Sequence, residues 1–214
     1  MNKRILLIGG GGHCKSVLDS LLELNEYAEI GIVDKKENLG KSVMGVPVVG
    51  CDDDLPALFR DGYRYAVVTI GSIGNPTLRI KLFILLSEIG YEIPVIIDDS
   101  AKVSKHTIIE QGVFIGKQSI VNAGALIQKG AIINSGAIVE HDCQIGAFSH
   151  IAPGAVLGGE VVVGEHSHVG SSATVKQQIH IGSNSIIGMG SVVLHDIESN
   201  TMAYGNPCKE VKKL

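Results

Sequence analysis

Hydrophobic positions in the second half of the chain recur with a period of six. Stepping by six from Ile97 through Val103, Ile109 and Ile115 to Ile187 and Val193 meets 17 aliphatic residues in succession, and the next step lands on Ser199. Ile, Val and Leu together make up 66 of the 214 residues, so chance gives such a run with a probability on the order of 10⁻⁹ for a fixed register. Four positions after each aliphatic stands a mostly small residue, such as Ala125, Ala131, Cys143, Ser149 or Ala155, and Gly often follows the aliphatic directly, as at Gly116, Gly146 and Gly164. Helical and simple alternating periods do not produce this. Six residues read as one flat side, made of a short strand, a tight turn and an inward small residue, and three sides close a coil. Coils stack at the inter-strand spacing of about 4.8 Å, so the run predicts a parallel β-helix roughly 27 Å long.

Before Ile97 the pattern changes. Residues 4–9 (RILLIG), 29–34 (EIGIVD) and 65–70 (YAVVTI) read as buried strands, with a further strand at 93–97, and helices are predicted over 13–25, 52–60 and 76–90. Strands alternating with helices imply a small Rossmann-like parallel α/β sheet. The division expected is an α/β domain over 1–96, a β-helix over 97–198 and a tail over 199–214. Glycines 9–12 fall between the first strand and the first helix, where backbone N–H groups and the helix dipole favour a phosphate. The run departs from the dinucleotide fingerprint, whose third glycine position is Cys14 here. Asp34 closes the second strand, where an acid can bond a ribose or base edge, and Ile70-Gly71 close the third. All three loops lie at the carboxyl edge of one parallel sheet. They predict a mononucleotide or nucleotide-sugar crevice contacted by Gly11, Gly12, His13, Asp34, Ile70 and Gly71.

Composition narrows the classes. The formal net charge is −4 and 19% of residues are charged, too apolar for a disordered chain and without the basic field of a nucleic-acid binder. There are 27 Gly and only nine aromatic residues, five Tyr and four Phe, as expected if a prism too narrow for rings occupies half the chain. No stretch approaches 18 apolar residues, the start lacks a signal-peptide cleavage pattern, and the four Cys are scattered without a CxxC pair. These features predict a reduced, cytoplasmic protein with no stable membrane insertion and no nucleic-acid partner.

Among the histidines, His141 stands apart because carboxylates flank it in Glu140-His141-Asp142. A neighbouring carboxylate orients an imidazole and stabilises its cation, which a general base near neutral pH needs; a solvated surface explains the same triplet. His106, His166 and His180 occupy variable positions of a hexad, and His195 follows the last aliphatic by two, all read as exposed. Cys143 lies in the inward small column and is read as a buried filler rather than an acyl-enzyme nucleophile, and Cys14 as packing at the helix start. Lys209, Lys212 and Lys213 suit either coenzyme phosphates or a solvated chain end. His150 and His168 are 18 apart and stack on adjacent coils, which leaves open a zinc-dependent hydratase with metal held between subunits. A non-catalytic nucleotide-sugar sensor or scaffold is a further alternative.

The hexads, uninterrupted over about half the chain, resemble the left-handed β-helix of the hexapeptide-repeat acyltransferases. The order Gly9-Gly10-Gly11-Gly12-His13, Asp34, Ile70-Gly71, hexads, and a closing Gly205-Asn206-Pro207-Cys208-Lys209 is similar to the PglD/NeuD family of sugar acetyltransferases. That resemblance implies a homotrimer using acetyl-CoA as cosubstrate, with no metal. It places the base on His141, its carboxylate partner on Asp142 with Glu140 as a substitute, and a supporting polar residue on Asn134. It places the thioester-side histidine on His150 and the close backbone approach to the coenzyme on Gly159. The acceptor implied first is a UDP-linked 4-amino sugar, with a GDP-linked amino sugar or sialic acid as alternatives. Lys35 follows Asp34 where the UDP-sugar relatives pair two acids, so the base is left open.

Overall fold

A computed structural model describes residues 3–214 as two units. One comprises the residues up to Gly71 together with Thr77–Ile96, and the other Ser72–Pro76 together with Ile97–Leu214.

In the first unit, β1 (Arg4–Ile8), β2 (Glu29–Val33), β3 (Ser42–Val43), β4 (Val46–Gly50) and β5 (Tyr65–Val68) form one sheet in the order β3-β4-β2-β1-β5. β1 pairs in parallel with both β2 and β5, and Ile5, Leu6 and Leu7 are fully buried. That burial explains why RILLI is an unbroken apolar run rather than an alternating one. Helix α1 (Gly12–Leu24) follows β1, α2 (Leu55–Arg60) follows a 3-10 turn at Asp52–Asp54, and α3 (Thr77–Ile89) follows β5. The helix expected over 52–60 is therefore two pieces, and the strand expected over 93–97 is confined to Ile96–Ile97. The antiparallel pair β3–β4 is absent from the sequence reading. Its two-residue turn holds Met44 at φ 49 and Gly45 at φ 84, a turn normally announced by Asn-Gly, and Met gives no such signal.

The second unit is a parallel β-helix. Every predicted hexad contributes a two-residue strand, and the strands stack into faces of six, five and eight strands. Partners are 18 residues apart, as in Ile133↔Ile151 and Val139↔Leu157. The inward aliphatics from Ile115 onward are buried, each stabilising the coil by roughly 1.5–3 kcal/mol against exposure. A column of buried hydroxyls runs beside them. Ser149 Oγ donates to the Gly164 carbonyl (2.8 Å) and accepts the Ser167 N–H (3.1 Å), and Ser167 repeats this with Gly182 and Ser185. Inward serines are thus satisfied by the next coil.

The turn residue three after each inward aliphatic has positive φ at all 14 positions from Gly112 to Gly190. Six are Gly; the others include Asp142 (φ 59) and Phe148 (φ 56), so the coil imposes the left-handed corner even where Cβ opposes it. Phe148 lies over Gly130, and Phe114 stands on the outer side of its strand. Neither ring enters the prism. The tail adds two strands to the eight-stranded face: Thr201–Tyr204 lies parallel to Ile186–Ile187, and Lys209–Lys213 returns antiparallel to it. Lys213 binds Glu198 at 2.8 Å, and the exposed, lysine-rich last strand is the kind of edge that resists further strand addition.

Candidate functional site

In the first unit, the three predicted loops converge at the carboxyl ends of the strands. They line a cavity of ≈ 420 Å³ with Gly9, Asp34, Lys35, Asp52, Asp53 and Ile70 on its walls. The four glycines divide the work there. Gly9 (φ 105) and Gly10 are small for packing reasons: a side chain would strike Ile70 from the first and Asp34 Oδ2 from the second. Gly11 and Gly12 have open space above them. Gly11 caps α1 without a side-chain hydrogen bond, and no acid sits in its first turn, so the helix N-terminus faces outward with no internal anion satisfying it. Asp34 is committed on both oxygens: Oδ2 accepts the Gly10 N–H (3.2 Å) and Asn38 Nδ2–H (3.2 Å), and Oδ1 accepts the Lys35 N–H (2.8 Å). It pins the glycine turn to the end of β2 and still borders the cavity. His13 lies beside Gly71, whose added Cβ would be 3.4 Å from the His13 Cβ.

In the β-helix, His141 and Asp142 form the corner between the six-stranded and five-stranded faces. His141 Nδ1 lies 2.9 Å from Asp142 Oδ2. A carboxylate only accepts, so Nδ1 carries the proton and Nε2 presents its lone pair. This hydrogen bond, ahead of the attraction of the nearby carboxylates, raises the pKa of His141 above its ordinary value. The side chains are open to solvent, 57% and 62% exposed. Glu140 acts on the ring only through its charge, since its Oε2 accepts a hydrogen bond from Asn122 Nδ2 at 2.8 Å.

Room for the pair comes from the adjoining coils. A Cβ at Gly159 would lie 2.5 Å from His141 Nε2, and one at Gly124 would strike Asp142 Oδ1. Gly159, expected from the resemblance to meet the coenzyme, thus has a second reason to be glycine: the imidazole lies on it. Gly124 escaped the sequence reading, although its 18-residue offset from Asp142 is the coil period and marks it as a stacking neighbour.

Asn134 and His150 are brought together elsewhere. Both belong to the eight-stranded face, which lies across the prism from the His141 corner. His150 Nδ1 meets the Ser72 carbonyl oxygen at 3.1 Å and so donates its proton there; Nε2 accepts from Asn134 Nδ2 at 3.1 Å. The Asn134 amide is oriented by the Ser135 N–H, which donates to Oδ1 at 2.8 Å. Next to His150 is a cavity of ≈ 260 Å³, lined also by Ile73, Pro153, His168, Ile186 and Met189. Within one chain the dyad and this face do not share a site.

Cys143 is fully buried with Sγ donating to the Gly158 carbonyl (3.2 Å), and burial pushes its pKa to about 11. Cys14 is likewise buried and raised to about 11; neither offers a thiolate. Among the described residues no group of three or more His, Cys, Asp or Glu is placed to hold a metal ion, and no helix is long and apolar enough to cross a membrane.

Comparison with known proteins bears on both units. A family model described as the PglD N-terminal domain matches residues 4–86. Models for bacterial transferase hexapeptide repeats match 124–159 and 142–177, and for the hexapeptide repeat of succinyl-transferase 106–140 and 160–195. No curated protein sequence matches the chain. Among solved structures, the acetyltransferase domain of PglB from Neisseria gonorrhoeae, in complex with acetyl coenzyme A, is 36% identical over 99% of this chain and 100% of its own, with a TM-score of 0.92. PerB from Caulobacter crescentus, in complex with CoA and GDP-perosamine, is 38% identical over 97% of each chain, with a TM-score of 0.91. WeeI from Acinetobacter baumannii is 22% identical over 98% of this chain and 100% of its own, with a TM-score of 0.87, and shares the fold. The left-handed parallel β-helix implied by the family resemblance stands with these neighbours.

Proposed function

The chain belongs to the PglD/NeuD-like family of hexapeptide acetyltransferases, and from that premise we propose that it transfers an acetyl group from acetyl-CoA to the amino group of a nucleotide-linked amino sugar. The observation that carries the reading is the His141–Asp142 dyad, exposed at a corner, with Nδ1–H committed to the carboxylate and Nε2 left basic. His141 Nε2 takes a proton from the acceptor amine as its nitrogen attacks the thioester carbonyl. The tetrahedral intermediate collapses, the C–S bond breaks, and the imidazolium returns the proton to the departing sulfur, giving the amide and free CoA. Asp142 keeps the ring in the required tautomer and stabilises its cation, and general-base help of this kind contributes about 10²–10⁴ in rate.

The nucleotide belongs in the α/β cavity, with its phosphates at the open N-terminus of α1 over Gly11 and Gly12 and its ribose or base edge at Asp34. We place a GDP-linked amino sugar ahead of a UDP-linked one: the 38% identical PerB is solved with GDP-perosamine, and Lys35 stands beside Asp34. Because the dyad and the His150 face lie on opposite sides of one prism, a complete site takes the corner of one copy and the eight-stranded face of the next, as closed threefold symmetry provides. The chain then works as a homotrimer.

A thiol-release assay with acetyl-CoA and a panel of GDP- and UDP-linked amino sugars and sialic acids tests the reading. Turnover is expected with a nucleotide amino sugar. Nucleotide binding without thiol release from any acceptor would replace the enzyme with a sensor.

A further inference from the structure

Two histidines are stacked one coil apart on the eight-stranded face, and they are not equivalent. His150 has both ring nitrogens occupied, Nδ1–H by the Ser72 carbonyl and Nε2 by the Asn134 amide. As a neutral ring it has no N–H left for a ligand. His168 packs against it edge-to-face, with ring centroids 4.9 Å apart and planes at 76°. His168 is 7% exposed and its Nδ1 is buried without a hydrogen-bond partner. A proton on Nδ1 would be stranded in apolar surroundings, so it resides on Nε2, the nitrogen left to meet the cavity that this ring lines. Burial also lowers the His168 pKa, which disfavours the charged ring. The walls around it, Ile73, Ala152, Pro153 and Ile186 among them, are apolar. Apart from the Ser171 hydroxyl at its wall, the cavity therefore offers the His168 N–H as its neutral side-chain donor and asks for a ligand with an acceptor oxygen on an otherwise apolar stem.

We infer that His168 binds the acetyl donor, its Nε2–H donating to a carbonyl oxygen of the acyl-pantetheine chain, while His150 serves as a positioning residue that holds Asn134 and the segment 72–76. This rests on the acetyl-CoA reading above. The thioester carbonyl and the pantetheine amides share the required chemistry.

The test compares wild type with His168→Leu, which removes the donor, and His168→Gln, which keeps an N–H. Calorimetric titration with acetyl-CoA and with CoA is combined with initial rates. Leaving a buried ligand carbonyl unpaired weakens binding by about 5- to 150-fold, and the Gln variant is expected to recover most of that. Equal losses for acetyl-CoA and CoA assign the contact to a pantetheine amide. A loss confined to acetyl-CoA, with a fall in kcat, assigns it to the thioester. Wild-type titrations and rates in the Leu variant overturn the inference, as does a Gln variant no better than Leu, which would mark a packing role. Nitrogen-15 histidine spectra of the unmodified protein give a measurement that needs no variant. The His168 Nε2–H resonance must move on CoA addition while His150 keeps its Nδ1–H tautomer, and an unmoved His168 sinks the idea. Should wild type bind acetyl-CoA but release no thiol with any acceptor, the transferase reading fails while the binding inference still stands on the titrations. Should it bind neither CoA species, both fail.

Discussion

Gly159→Ala isolates the positioning of the proposed base from the stability of the coil. Gly159 is not among the positive-φ residues, so alanine meets no backbone penalty there. The added Cβ would lie 2.5 Å from His141 Nε2, 2.7 Å from Cε1 and 3.2 Å from Cδ2, where ordinary contact begins at 3.4 Å. The ring must retreat by about 0.9 Å, the difference between 3.4 and 2.5. It is free to move outward because its side chain is 57% exposed, so the strain is relieved by displacement and not by distortion of the strands. Misplacing a reacting group by about 1 Å costs on the order of 10² in rate. The expected outcome is therefore a kcat about 10²-fold lower in the thiol-release assay, with the thermal midpoint and oligomeric state of wild type. A variant with wild-type kcat would refute the argument that Nε2 is the reacting atom. A large fall in thermal midpoint would refute the argument that the clash is absorbed by the side chain.

Further outcomes follow from the same geometry. Replacing Asp142 by Asn removes the hydrogen bond that raises the His141 pKa; since the base acts unprotonated, the acidic limb of the kcat profile should move to lower pH as the plateau falls, and an unmoved limb would assign it to another group. Co-expressed His141→Ala chains, which lack the base, and His150→Ala chains, which lack the residue that holds Asn134 on the opposite face, should recover about a quarter of wild-type activity if each site takes its corner from one copy and its face from the next; no recovery would place the site within one chain. Asp34→Ala releases the Gly10 and Lys35 N–H groups and should raise the nucleotide-sugar KM by about 10-fold or more, the scale of hydrogen bonds to a charged group, without changing the KM for acetyl-CoA. Ile145→Ala empties a fully buried inward position and should lower unfolding stability by about 2–5 kcal/mol in a denaturant titration.

Much of this was legible because a β-helix is nearly one-dimensional. Each residue's neighbours are 6 and 18 positions away, so the column from Ile97 to Val193 announced the coil, and the same offset links Gly124 to Asp142, His141 to Gly159 and His150 to His168. The crevice was legible for a similar reason: three loops at one edge of a parallel sheet must converge. The Met44-Gly45 turn was not, because the hairpin forces left-handed φ on Met44, whose side chain does not advertise it. Nor was the choice of Asp142 over Glu140 as the partner of His141. Both flank it, and only the φ of 59 at Asp142, and Asn122 one coil away holding Glu140, separate them.

The sequence by itself determined the architecture, since burial of one aliphatic per side repeats at fixed spacing and no other fold satisfies it. Tertiary structure alone decided the chemistry of the histidines. Spacing puts His141 and His150 on one coil and His168 on the next, but a proton's place on an imidazole depends on what faces each nitrogen. Those partners, Asp142 for His141, Ser72 and Asn134 for His150, and none for Nδ1 of His168, are set by packing in three dimensions.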